Sequence, residues 1–145
     1  MITETQIDQL FDDIGKSPDE AILDFVSNEK AFSGYLLSDQ FSLLSESEKE
    51  SLLFIHIVLW RCYEKYCEAF DFNLETFADK EESNWTLIDD NKLSWESKID
   101  LLFKDYKQED LLAFVEDMLN EEEEITVLSK ELIFVTAKSY IDYRF

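Results

Sequence analysis

The chain has 145 residues and carries 34 acidic against 13 basic side chains, a formal net charge of −21. That balance excludes a basic face for gripping a nucleic-acid backbone and sets the chain against anionic membrane surfaces. Hydrophobic residues make up 46% and aromatics 14%, more than acidic disordered chains contain, so the acids are expected to coat a packed, ring-rich core.

Two glycines and one proline in the whole sequence leave too few turn residues for a sandwich or barrel. The fold class expected is all-α, a single domain over residues 1–145 with six or seven helices. It is expected to pack around a long central helix at about 46–70 and a buried C-terminal helix at about 127–143. No basic-then-apolar stretch opens the sequence, and the longest apolar run, residues 52–60, is broken by His56. That run falls far short of the ~20 residues of a membrane span, so a cytoplasmic location is expected.

In chain order, a first helix starting near Thr3 or Thr5 carries Ile7, Leu10, Phe11 and Ile14 on one face, with Gly15 as its left-handed cap. Ser17-Pro18-Asp19-Glu20 is a start signal, with serine capping, proline in the first position and Glu20 reaching back. Ile22, Phe25 and Val26 supply the next buried face. Between Ser27 and Ser45 the pattern weakens to one or two short helical pieces around Gly34. Ser45-Glu46-Ser47-Glu48 is a second capping box opening the long helix. Residues 52–60 leave that helix no polar face, so it is expected to be surrounded, while Arg61, Glu64, Lys65 and Glu68 bring one side to the surface.

Residues 71–94 are the least regular part, with a short helix at Leu74, Phe77 and Ala78 and a turn at Asp89-Asp90-Asn91. Ser94 caps a helix with a stripe of Trp95, Ile99, Leu102, Phe103 and Tyr106. Leu111, Leu112, Phe114, Val115, Met118 and Leu119 face one way on a further amphipathic helix, and Glu121 to Glu124 form an acidic connector. In the last helix Lys138 and Asp142 are a surface pair four apart, and Leu132 to Ala137 is apolar nearly all round.

Few constellations suggest chemistry. His56, the one histidine, falls in a stripe with Trp60, Tyr63 and Cys67. Eleven residues of helix separate His56 from Cys67 by ~16 Å, too far for a nucleophile–base pair or a metal site. The main reading of His56 is a packing histidine whose ring bonds a carbonyl or carboxylate. His56, Trp60 and Tyr63 are the candidate ligand-binding residues if the stripe lines a pocket. Cys62 and Cys67 point about 140° apart on their helix and are read as structural thiols. Asp71, Asn73, Glu75, Asp79 and Glu82 copy the oxygen spacing of a calcium loop, but Thr76 stands where the sharp turn needs glycine. The main reading there is a capped acidic helix from Asn73. Neither a metal, a cofactor nor a catalytic residue is expected. One histidine and two glycines rule out di-metal Glu-x-x-His pairs and phosphate loops.

The acids are spread, with 12 against 3 bases in residues 1–50 and 11 against 5 in each of the two remaining stretches, 51–100 and 101–145. A solvated shell accounts for that. Beyond it, the functional expectation is a non-enzymatic protein-interaction module, an inhibitor or immunity-like partner of a basic protein, steered by charge and fixed by aromatics. The alternatives are a self-associating helical protein, or a small-ligand binder or carboxylate enzyme at His56, Trp60 and Tyr63.

The charge implies that salt stabilises the fold. Raising ionic strength from 0.1 M to 1 M shortens the screening length from about 10 Å to about 3 Å. The melting temperature should rise by roughly 3 °C for each 1 kcal/mol of self-repulsion removed. A scan showing no rise would mean that the acids are locally compensated.

Overall fold

Capping chemistry decides where the helices begin. The computed structural model describes residues 1–122 and 124–145. Among these are eight α-helices and no strand: α1 (Glu4–Lys16), α2 (Pro18–Asn28), α3 (Lys30–Leu36), α4 (Glu46–Tyr66), α5 (Leu74–Leu87), α6 (Trp95–Phe103), α7 (Glu109–Glu121) and α8 (Val127–Arg144). A 3₁₀ turn at Asp39–Phe41 precedes α4. Thr3 with Gln6 and Ser45 with Glu48 form complete capping boxes. Asn73, Ser94 and Thr126 accept backbone N–H bonds at the starts of α5, α6 and α8. Glu48 also accepts the Thr126 N–H at 3.2 Å, so one carboxylate ties the starts of α4 and α8. Burial works to raise its pKa, but bonds from Ser45, Ser129 and Thr126 outweigh that and hold it below its usual range.

The two apolar helices form the interior. Every side chain from residue 55 to 60 in α4, and from 133 to 141 in α8, is buried. α4 touches α1, α2, α7 and α8, while α8 touches α4, α7 and, most extensively, α5. Each fully buried aliphatic or Phe side chain contributes roughly 1.5–3 kcal/mol. Phe32 of α3 is the hub of the ring cluster, stacked on Tyr140 with centroids 4.6 Å apart and touching Phe25, His56, Phe72 and Phe77.

Several expectations are corrected. Gly15 does not cap α1, which runs one residue further and ends at Ser17 with φ −145° and ψ 66°. Pro18 does take the first position of α2, but that backbone leaves the Ser17 hydroxyl without a capping bond. α4 stops at Tyr66 rather than about residue 70. Its cap, Cys67, is extended, and the Tyr63 hydroxyl accepts the Phe70 N–H at 2.7 Å and turns the chain away. α5 is a full fourteen-residue helix within the segment that looked least regular. The acidic connector includes Glu123, which lies outside the described residues.

Lys138 and Asp142 are not a surface pair. Asn84 of α5 packs on that side of α8, its amide donating to Asp142 at 2.9 Å and to Ser139 at 3.0 Å. Lys138 donates to the Asn84 carbonyl oxygen at 2.7 Å and to Asp142 at 3.0 Å, and is 6% exposed. Nor are all the acids solvated, since Glu29 and Glu48 are buried.

Arg144 joins three parts of the chain. From the last turn of α8 it donates to Glu29, between α2 and α3, at 2.7 Å, and to the Phe70 carbonyl, between α4 and α5, at 2.6 Å. A third bond reaches the Tyr63 hydroxyl at 3.2 Å, and its guanidinium lies over the Tyr63 and Phe70 rings at 4.3 and 4.7 Å.

Removing one member of a buried pair strands the other. Arg144→Met alone should lower stability by about 3–5 kcal/mol in urea unfolding. Glu29→Leu added to Arg144→Met should recover part of that loss, because no carboxylate is then left unpaired. A single-variant loss below about 1 kcal/mol would place the pair in solvent.

Candidate functional site

His56, Trp60 and Tyr63 lie along α4 as the sequence indicates, and all three are buried. The His56 ring bonds the Leu52 carbonyl through Nδ1 at 2.8 Å and rests against Phe32 and Tyr140. This is the packing histidine expected from the sequence. Trp60 meets Phe25 edge-on at 5.7 Å with the Arg61 guanidinium over its ring, and Tyr63 holds Phe70 and Arg144. Rings and backbone thus occupy the space beside the stripe, and none of the five clefts described on the surface is lined by these residues.

Cys62 and Cys67 are free thiols. Burial pushes Cys62 up to about 12 and raises Cys67 as well, away from the thiolate form. The calcium-like spacing at 71–82 is a helix capped by Asn73, whose side chain accepts the Thr76 N–H at 3.0 Å. That helix strings Glu75, Asp79 and Glu82 over ~10 Å of axis, too far to converge on one ion. Among the described residues no group of three His, Cys, Asp or Glu side chains is placed to hold a metal.

The feature that reasoning from sequence missed lies where α1, α2, α4 and α7 meet. Ile14, Ile22, Leu53, Phe54, Ile57 and Met118 make the apolar floor of a groove of about 440 Å³. Its rim carries Glu50, Glu122, Ser47 and Ser51, and Pro18 closes one end. Helical phase sets the α4 side, because residues 47, 50, 54 and 57 recur at intervals of three and four.

A second cleft of about 250 Å³ follows the α1–α7 seam, bordered by Glu4, Asp8, Asp110 and Asp117 around Ile7, Ala113 and Phe114. Phe11 bridges the two clefts, packing edge-on against Phe54 at 5.4 Å and Phe114 at 6.2 Å, and stays 37% exposed. Six carboxylates therefore line this face, and no Lys or Arg lines either cleft. The acids at the starts of α1 and α7 suit the positive ends of the helix dipoles, and Asp110 accepts the Glu4 N–H at 3.1 Å. Glu116, next to Asp117 on α7, is raised above the usual carboxylate value, by partial burial first and then by Asp117 and Asp100.

Four of the chain's cations make close ion pairs away from these two clefts. Arg61, Lys98, Lys138 and Arg144 bond Asp24, Glu131, Asp142 and Glu29 at 2.6–3.0 Å. Lys98 and Glu131 flank a third cleft, between α5, α6 and α8, where Trp85 and Leu128 are exposed. Comparison with protein-family models, curated proteins and solved structures finds no match for the chain.

Burial holds His56 at about 4 against its ordinary 6.5, while the Leu52 and Thr136 carbonyls pull the other way. Between those values the unfolded chain takes up a proton that the fold refuses, so His56 lowers stability as pH falls from 6.5 towards 4, and no further below. The full effect is about 3 kcal/mol. Denaturant curves across this range should show a steeper pH dependence in the wild type than in His56→Leu. Equal slopes would mean that the ring protonates inside the fold.

Proposed function

We propose that the chain is a non-enzymatic protein-interaction module whose partner is a basic protein, acting as an inhibitor or immunity-like binder. The observation that supports this reading is on the side built by α1, α2, α4 and α7, where an apolar groove and the α1–α7 cleft, with the exposed Phe11 between them, are lined by six carboxylates and by no Lys or Arg. Charge of one sign around an apolar floor is the arrangement in which steering brings the partner in and buried contacts hold it. The net charge of −21 extends the same field over the whole molecule. A buried, ring-packed stripe at His56, Trp60 and Tyr63 gives the small-ligand reading no described cleft to work from.

Self-association has one observation in its favour, the exposed Trp85 and Leu128 at the α5–α6–α8 cleft. Two copies at −21 each repel, so a dimer through that cleft should appear in sedimentation only at high salt.

The charge field and the particular face can be separated by a matched comparison. Immobilised wild type and Glu75→Lys/Asp79→Lys, altered on the exposed side of α5, should retain the same basic proteins at low salt and release them as salt rises. Glu50→Lys/Asp117→Lys, with the same change in charge, should lose them. Equal retention by both double variants, or no basic protein retained by the wild type, would count against the proposal.

A further inference from the structure

We propose that the α1–α2–α4–α7 groove seats a single amphipathic helix bearing lysine or arginine, its apolar side on Ile22, Phe54 and Met118 and its cations over the rim. This rests on the basic-partner reading and names the occupant of that site.

Three observations support a helix. The groove is lined by helical residues except Glu122, just past the end of α7, and the described residues include no strand, so no sheet edge offers backbone pairing, and the occupant must be held by its side chains. The α4 wall presents residues 47, 50, 54 and 57 along ~15 Å of one helix side, matching anchors at i, i+4 and i+7 that span ~10 Å. Ridges of such a helix fit the grooves of α4 and α7 as one helix packs on another. Charge selects its sign, because Glu50 and Glu122 rim the apolar floor. Beyond Phe11, Asp8 and Asp117 meet the next turn of a helix that runs on towards the α1–α7 seam.

The probe is a fourteen-residue leucine–lysine peptide, with leucines at i, i+4 and i+7, beside a scrambled isomer of the same composition. At low salt the patterned peptide should bind at least tenfold more tightly, and its amide shift changes should map to α4 residues 47–57, α1 and α7. Ile22→Ser/Met118→Ser should weaken it tenfold or more without changing the scrambled isomer's binding. Glu50→Lys/Glu122→Lys, confined to exposed side chains, should weaken the patterned peptide tenfold or more and the scrambled isomer less, and it keeps the test valid if the apolar variant melts early.

Equal binding of both peptides would overturn the helix while leaving the basic-partner reading, which depends on the charge-swap comparison instead. Binding of neither peptide, or shifts confined to other helices, would overturn it as well. So would a dimer of the free chain that Ile22→Ser/Met118→Ser dissolves, since a second copy would then fill the groove.

Discussion

Arg144 closes the molecule. A single guanidinium in the last turn of α8 satisfies a carboxylate between α2 and α3 and a carbonyl between α4 and α5, while the Tyr63 and Phe70 rings cover it. Hydrophobic burial drives α4 and α8 together, but burial is not directional. The charged bonds fix which connections meet at the end of α8. Lys138 repeats the device six positions earlier, joining α8 to Asn84 of α5. A chain with 34 acids and 13 bases thus places several of its cations where they join separate segments.

The exterior on the α1–α7 side differs. Arg61, Lys98, Lys138 and Arg144 turn to acids on other turns or helices, while the groove and the α1–α7 cleft are lined by carboxylates and by no Lys or Arg. The groove there is apolar because α4 leaves the core gradually. Residues 55–60 are enclosed, whereas Leu53 and Phe54, just before them, are half-buried and line the groove with Met118, and Phe54 packs on Phe11.

Much of the fold was legible. The apolar segments 52–60 and 132–137 announced two enclosed helices, and the Ser45–Glu48 box marked the start of the longer one. What was not legible depended on contacts outside the helical periodicity. No repeat of apolar residues shows that Tyr63 will bind the Phe70 backbone and end α4, or that Asn84 will bury Lys138. The stripe of His56, Trp60 and Tyr63 reads correctly as one side of a helix, but periodicity cannot tell a side lined by a cavity from one filled by Phe25, Phe32 and Phe70. The groove was hidden for a related reason. Phe11, Phe54, Phe114 and Met118 each fit a core stripe, and only the meeting of α1, α4 and α7 leaves them half-covered.

The most direct measurement is made on the two arginine side chains by NMR, since Arg61 and Arg144 are the only ones in the sequence. The Arg144 guanidinium protons should persist at neutral pH, shift upfield under the Tyr63 and Phe70 rings, and show proximity to both, while those of the more exposed Arg61 exchange faster. Two arginines exchanging alike, with no ring proximity for Arg144, would contradict an interior closed by a buried cation.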